Sequence, residues 1–394
     1  MLTKTRSFRP LVGIRATPVL ALLFAFGLSV LLAPRVVAAA AAKAPAAPPA
    51  NLLPGFRAGP MRGFEDLVFA ARALNQTDGH WYANFGYYSH DPGRKAYAEG
   101  AKLYRLNLPT RGLTALLADA KGGVRDPQVS YDGKKILFSY RPGGTEHYHL
   151  YEINADGSGL RQLTSGPYDD FEASYLPDGG IVFVSSRCKR WVNCWLTQVA
   201  VLHRCNADGS DIRALSTNNE QDNTPWPLPD GRVLYTRWEY VDRSQVHFHH
   251  LWTANPDGTA QMTWFGNLHP GITMIDAKPI PGTDKIVASF SPGHGRKEHD
   301  GVITVVDPKN GPDAKEFAKS ISKTPNFRDP WAFSEDCFLA ATRGTLVVMD
   351  GAGRTQEILK LPAGDLAAGL ECHEPRPLAP RPREFVMQNR ARPE

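Results

Sequence analysis

The 394-residue chain lacks the marks of several common chemistries. It has no Cys-x-x-Cys-His, which excludes the usual covalent attachment of a c-type haem. No Gly-x-Ser-x-Gly elbow occurs, and no spacing singles out a Ser/His/Asp set, so nucleophilic catalysis finds little support. No glycine-rich phosphate loop leads from a strand into a helix. Beyond residue 33 no apolar run is long enough to span a membrane. Long stretches of helical period are missing too. The five cysteines are few and odd in number, so a monomer keeps at least one unpaired.

Net charge is also scarce once its source is located. The formal value is +5, and residues 1–42 supply it through Lys4, Arg6, Arg9, Arg15 and Arg35, with no acidic residue among them. The remainder balances, with 40 basic against 40 acidic residues. A near-neutral body gives no electrostatic case for nucleic acid or an anionic membrane. The basic start, the apolar run Ala16–Ala33 and the small residues Ala38–Ala42 predict a secretory signal peptide over 1–42. An uncleaved anchor is the alternative, and only that would tie the chain to a membrane. Residues 43–60 read as an Ala/Pro-rich linker and 61–394 as the folded body, in the periplasm or outside the cell.

What is abundant is repetition. "VSYDGKKILFSY" (129–140) returns as "ASYLPDGGIVFVSS" (173–186) and "PWPLPDGRVLYTRW" (225–238), with weaker copies at 277–290 and 331–343. A second element follows each: "HLYEINADGSGLRQLT" (149–164), "VLHRCNADGSDIRALS" (201–216), "HLWTANPDGTAQMTWF" (250–265), and looser versions at 301–311 and 344–359. Short apolar runs separated by Asp-Gly turns predict an all-β unit of four strands, a to d. One such sheet cannot bury both faces, so the units must stack around an axis as a β-propeller. Five units are complete. A partial one, "EDLVFAAR" (65–72), "KLYRLNL" (102–108) and "LTALLA" (113–118), lacks strand a. "HEPRPLAPRPREFV" (373–386) looks like an opening strand with nothing after it. The expected architecture is a six-bladed propeller in which this C-terminal segment closes blade one.

The Asp-Gly…Leu-Arg-Gln-Leu-Thr pattern resembles the propeller repeats of TolB. "SSRCKRWVNC", "NADGSDIRALS", "LPDGRVLYTRWEYVDR", "LWTANPDGT" and "HEPRPLAPRPR" resemble the middle domain of the hydrazine synthase alpha subunit and its secreted relatives, over residues 65–386. "YTRWEYVDR" (235–243) is the most specific of these. The resemblance implies a six-bladed propeller in an exported protein. It does not carry hydrazine synthesis here, because the haem motif is missing.

Blade topology sorts the polar residues. The b-to-c loops and d-to-a connections emerge on one face, the top, and the Asp-Gly hairpins on the other. The d-to-a connections carry Asp126, Asp170, Asp222, Asp276, Asp329 and Glu374. Converging carboxylates there suit a cation or amine, although acids opening inner strands also cap neighbouring backbone. Arg237 and Trp238 either pack and brace the long loop or turn to the channel mouth. In the b-to-c loops, "VHFHH" offers His247 and His249 on one side of an extended segment, and "GHGRKEHD" offers His294 and His299. These donors suit zinc or another divalent first-row metal, with solvated histidines as the bland reading. The aromatic insertion 73–100 either covers the top face or packs on a neighbouring blade. In "SRCKRWVNCW" (186–195) an oxidising compartment favours a Cys188–Cys194 disulfide bracing the loop, a shared metal being the alternative. The functional expectation is a propeller that binds a protein partner or small ligand on its top face; the alternative is a metal-dependent or redox-associated protein.

Overall fold

The computed structural model describes residues 51–74, 85–241, 243–294 and 298–391. The signal peptide expected over 1–42, the first part of the linker, and His80, Trp81 and Tyr82 of the insertion lie outside the described residues. Among the described residues no helix is long and apolar enough to cross a membrane.

The chain is all-β, built from antiparallel sheets in chain order. One sheet comprises Gly123–Val129, Lys135–Arg141, His149–Asn154 and Arg161–Gln162. The next comprises Asp170–Tyr175, Ile181–Ser185, Val201–Cys205 and Arg213–Ala214. A larger sheet joins two sets: Asp222–Pro227, Val233–Glu239, Phe248–Ala254 and Met262–Phe265, then Ile272–Pro279, Ile286–Pro292, Val302–Val306 and Ala318–Ser320. The sets meet through a short parallel contact, Phe248 opposite Ile272 and His249 opposite Thr273. Arg328–Ser334, Cys337–Thr342, Thr345–Met349 and Thr355–Lys360 form another sheet. In the terminal sheet Leu370–Pro377 pairs with Asp66–Ala73, which continues to Ala101–Asn107 and Leu113–Asp119. The C-terminal strand thus supplies the missing first strand of the N-terminal set, as its unpaired sequence pattern predicts.

Local chemistry explains the turns. Gly133, Gly179 and Gly231 all have φ between 73° and 93°, the conformation an Asp-Gly hairpin needs. The Asn-x-Asp-Gly turns close alike: Asp156, Asp208 and Asp257 each accept from the backbone N–H two residues on, at 2.9 Å. The sheets are then held face to face by apolar layers. Phe171, Val184 and Leu202 pack on Val233 and Tyr235 of the following set, while Val68 and Leu103 pack on Ile136 and Phe138. Leu67 and Phe69 of the terminal sheet pack on Leu339 and Leu346, so the first and last sheets share a core. Burial of this kind contributes about 25 cal/mol per Å² of apolar surface.

Candidate functional site

Every inner strand breaks register at one residue with a left-handed backbone. These residues are Asp126, Glu172, Thr224, Asp276, Asp329 and Glu374, with φ between 46° and 59°. Each lies inside a bulge, for example between Arg125 and Gln128 or between Phe171 and Ser174. A side chain in this region costs about 1–2 kcal/mol per residue. The offsetting contacts run from sheet to sheet. The Glu172 N–H donates to Asp126 at 3.0 Å and the Thr224 N–H to Glu172 at 2.6 Å. The Asp276 N–H donates to the Thr224 hydroxyl at 3.2 Å, the Glu374 N–H to Asp329 at 2.9 Å, and the Asp126 N–H to Glu374 at 3.3 Å. Five of the six bulges therefore aim a side chain at the amide of the next, Asp276 being taken instead by Lys278 and Arg376, and all six residues line a shared central cavity.

That cavity is small, about 40 Å³, room for about three or four waters by the usual ~10–15 Å³ each. Cations line it as well as acids. Arg125 bonds Asp126 at 2.8 Å and Glu172 at 3.1 Å. Arg72 bonds Glu298 at 2.7 Å and Glu374 at 3.3 Å. Asp276 takes Lys278 and Arg376, the latter at 3.1 Å. Arg328 bonds Asp300 at 2.8 Å and also Glu371. The positive charge that converging carboxylates attract is supplied here by buried guanidinium and ammonium groups of the same chain. Neutralisation is incomplete in places. Burial pushes Glu172 up to about 7 against the pull of Arg125. Burial and the nearby Asp276 raise Asp329 to about 6, and burial drives Glu374 well above the carboxylate range. Burial also acts upward on Asp276, but Lys278 and Arg376 hold it below its usual value.

Among the described residues one group of metal-ligating side chains has its ligand atoms mutually within 4.8 Å: Asp329, His373 and Glu374. Arginine already engages it. Arg328 lies 3.3 Å from His373 Nε2, and because a guanidinium only donates, Nε2 accepts and Nδ1 carries the hydrogen. Burial, Arg72 and Arg328 keep this imidazole neutral, well below its usual pKa. A metal ion here would displace the Arg328 contact and face the same positive groups.

The structure sorts the expected site residues. Asp126, Asp276, Asp329 and Glu374 line the cavity. Asp170 and Asp222 do not; they are corrected to inter-strand anchors. Asp170 is fully buried against Ser185 at 2.6 Å and Arg187 at 2.7 Å, and Asp222 against Ser216 at 2.6 Å and Arg237 at 2.9 Å. Both lie two residues before the bulge, so they point between strands. Glu172 and Thr224 hold the corresponding positions in the cavity. Of the two alternatives for Arg237 and Trp238, the contacts are those of packing rather than of the channel mouth. Arg237 is consumed by Asp222 and Gln261. Trp238 is buried, donates to the Gln245 carbonyl at 2.8 Å and stacks on His249 with centroids 5.0 Å apart.

The histidines divide. His249 Nε2 and His294 Nδ1 meet at 3.2 Å beside Trp238, with His247 near enough to join burial in lowering the His294 pKa. His299 instead lines the central cavity next to Glu298. The described part of the insertion leans on neighbouring sheets. Phe85 packs on Phe171 at 4.4 Å, Lys95 pairs with Glu146 at 2.9 Å, and the Ser89 N–H donates to the Leu196 carbonyl.

The Cys188–Cys194 disulfide is not formed, a further correction. The segment doubles back later than expected, with Val199 N–H bonded to the Arg190 carbonyl and Val192 N–H to that of Thr197. Cys188 stays at the base of this hairpin, its thiol 3.3 Å from the Val199 carbonyl. Cys194 lies exposed near the tip, beside Tyr240.

No protein-family model matches the sequence, and no curated protein matches it. Solved structures do. The fold is similar to Kuenenia stuttgartiensis hydrazine synthase, with a TM-score of 0.68 and 18% identity over 82% of this chain and 48% of that one. It is also similar to TolB from Acinetobacter baumannii, with a TM-score of 0.52 and 13% identity over 79% of this chain and 66% of that one. The architecture is therefore a β-propeller, similar in fold to these two structures. The chain spans about half the length of the hydrazine synthase chain it matches.

Proposed function

We propose that the protein is an exported six-bladed propeller that serves as a binding module and engages a partner protein on its top face. The leader of residues 1–42 supports export. The bulge-to-amide hydrogen bonds and the C-terminal strand in the terminal sheet support a closed ring of six blades. One observation carries the binding reading. Leu196, Val241 and Leu268, on loops at the top, are 39%, 55% and 63% exposed. Contacts tie these loops into one surface: Cys194 lies beside Tyr240, and Arg243 bonds Asn267 at 2.9 Å. Exposed aliphatic residues on a braced polar rim mark an interaction surface. Site-specific photo-crosslinkers in the cell envelope test this. A crosslinker at Val241 or Leu268 should capture a discrete partner, and one at the outer-edge Met262 should not. Equal capture from all three positions would refute a top-face site.

A second reading, a metal-dependent or redox-associated protein, rests on the His249–His294 pair. Their 3.2 Å separation matches the edge of a tetrahedral zinc site with ligands at about 2.0–2.1 Å. Metal analysis of the purified protein distinguishes the readings. Stoichiometric zinc or copper lost in His249→Ala and His294→Ala favours the second; metal-free protein favours the first.

A further inference from the structure

The lower end of the cavity is built differently from the top. After Pro377 the chain crosses the hairpins of successive sheets. The Arg381 N–H donates to the Tyr131 carbonyl, Arg383 bonds the Pro177 carbonyl at 3.0 Å, and the Phe385 N–H donates to the Pro229 carbonyl. Between this segment and the hairpins opposite lie two cavities of about 310 and 290 Å³. They share Trp226, Pro281, Trp331, Arg381 and Pro382, so they form one cleft. Its size falls in the small-molecule range of about 300–1,000 Å³.

We propose that this cleft binds a small organic anion with a flat apolar body, an aromatic carboxylate being the simplest case. The apolar half of the recognition comes from Trp226 and Trp331, set edge to face with centroids 5.5 Å apart, with Phe64 and Phe333 beyond them. The charged half comes from Arg376 and Arg381 in the first cavity and Lys278, Arg381 and Arg383 in the second, against Glu384 as the one acidic lining residue among those described. Two guanidinium atoms point to a missing acceptor. Arg376 Nε and Arg381 Nε are both buried and have no hydrogen-bond partner. The other nitrogens are engaged, those of Arg376 by Asp276 and the Pro375 carbonyl and one of Arg381 by Glu384. Leaving a buried donor unsatisfied is unfavourable, more so when it is charged. A ligand carboxylate supplies acceptors, and its ring stacks against the tryptophans. The inference does not rest on the top-face reading, because the C-terminal segment roofs this cleft and leaves space for a small molecule rather than a protein surface.

Isothermal titration of the full folded chain with naphthoate, and with neutral naphthylmethanol as control, tests the proposal. Naphthoate should bind at one site, at least about tenfold tighter than the neutral analogue. Arg381→Gln should remove that preference, and Trp331→Leu should weaken both ligands. Hydrogen exchange on the unmodified protein covers the case of a variant that fails to fold. Naphthoate should slow exchange in 378–384 and leave 239–248 unchanged. No binding at millimolar naphthoate, equal affinity for the neutral analogue, or protection confined to the top loops would each overturn the assignment.

Discussion

Replacing Glu172 by Gln probes the energetics of the central cavity directly. The Glu172 carboxylate accepts from the Thr224 N–H at 2.6 Å, from the Asn223 side chain at 3.2 Å and from Arg125 at 3.1 Å. Burial outweighs these contacts and lifts its pKa from 4.5 to about 7. Because the folded value lies above the unfolded one, the folded protein retains this proton between about 4.5 and 7. The resulting stability is fully present below that window and is lost as the pH rises through 7. At about 1.4 kcal/mol for each pH unit, the loss is of the order of 3 kcal/mol. Gln keeps an acceptor for the Thr224 N–H, cannot ionise and gives up the pairing with Arg125. Urea unfolding of both proteins at pH 5 and pH 8 is the assay. Wild type should lose about 3 kcal/mol more than Glu172→Gln across this interval. The comparison cancels groups common to both, such as His250, which burial lowers to about 3 and which destabilises the fold as the pH falls below 6.5. Equal slopes for the two proteins would refute the claim that an incompletely neutralised carboxyl sits at this bulge.

Other perturbations reach different parts of the molecule. Phe85→Ala should cost about 3–5 kcal/mol, read as a fall in Tm, because Phe85 is fully buried against Phe171; an unchanged Tm would place the insertion off the core. Gly209→Ala should cost at least about 2 kcal/mol, since φ is +87° and the new Cβ would stand 2.0 Å from the Leu163 carbonyl. Gly55→Ala, with nothing within 4 Å, should be near neutral by the same measurement. Alkylation without reductant, followed by mass spectrometry, should label Cys194 fast and reach Cys205, Cys337 and Cys372 only on unfolding, because burial raises those three thiols to about 12 or above and hides them.

Much of the fold was legible because its determinants are local. Asp-Gly at 132–133, 178–179 and 230–231 sets the hairpins, and the apolar runs on either side set the strands. The C-terminal partner of Asp66–Ala73 was legible by subtraction, since one set lacked a strand and one strand lacked a set. The cavity was half legible. Asp126, Glu172 and Thr224 each stand six residues before the Asp of an Asp-Gly turn, and each precedes Pro or Ala. Counting back from the turns identifies them, whereas acidity alone points to Asp170 and Asp222. The cations gave no comparable signal. Arg72 lies on a second strand, Arg125 and Arg328 stand one residue before a bulge, and Lys278 and Arg376 stand two after it.

The sequence by itself determined the strand order, the hairpins, the identity of the closing strand and the absence of a c-type haem motif. These follow from residue type and spacing over a few positions, where backbone preference and hydrogen-bonding capacity act. Only the tertiary structure decided which acids enter the cavity, that arginine and lysine balance most of their charge, that Cys188 and Cys194 stand at opposite ends of a hairpin, and that the C-terminal segment roofs a tryptophan-lined cleft. Those outcomes depend on the direction a left-handed bulge gives a side chain and on which sheets meet at the centre. Residues up to 302 positions apart, such as Arg72 and Glu374, become neighbours there, and no pattern along the chain encodes that distance.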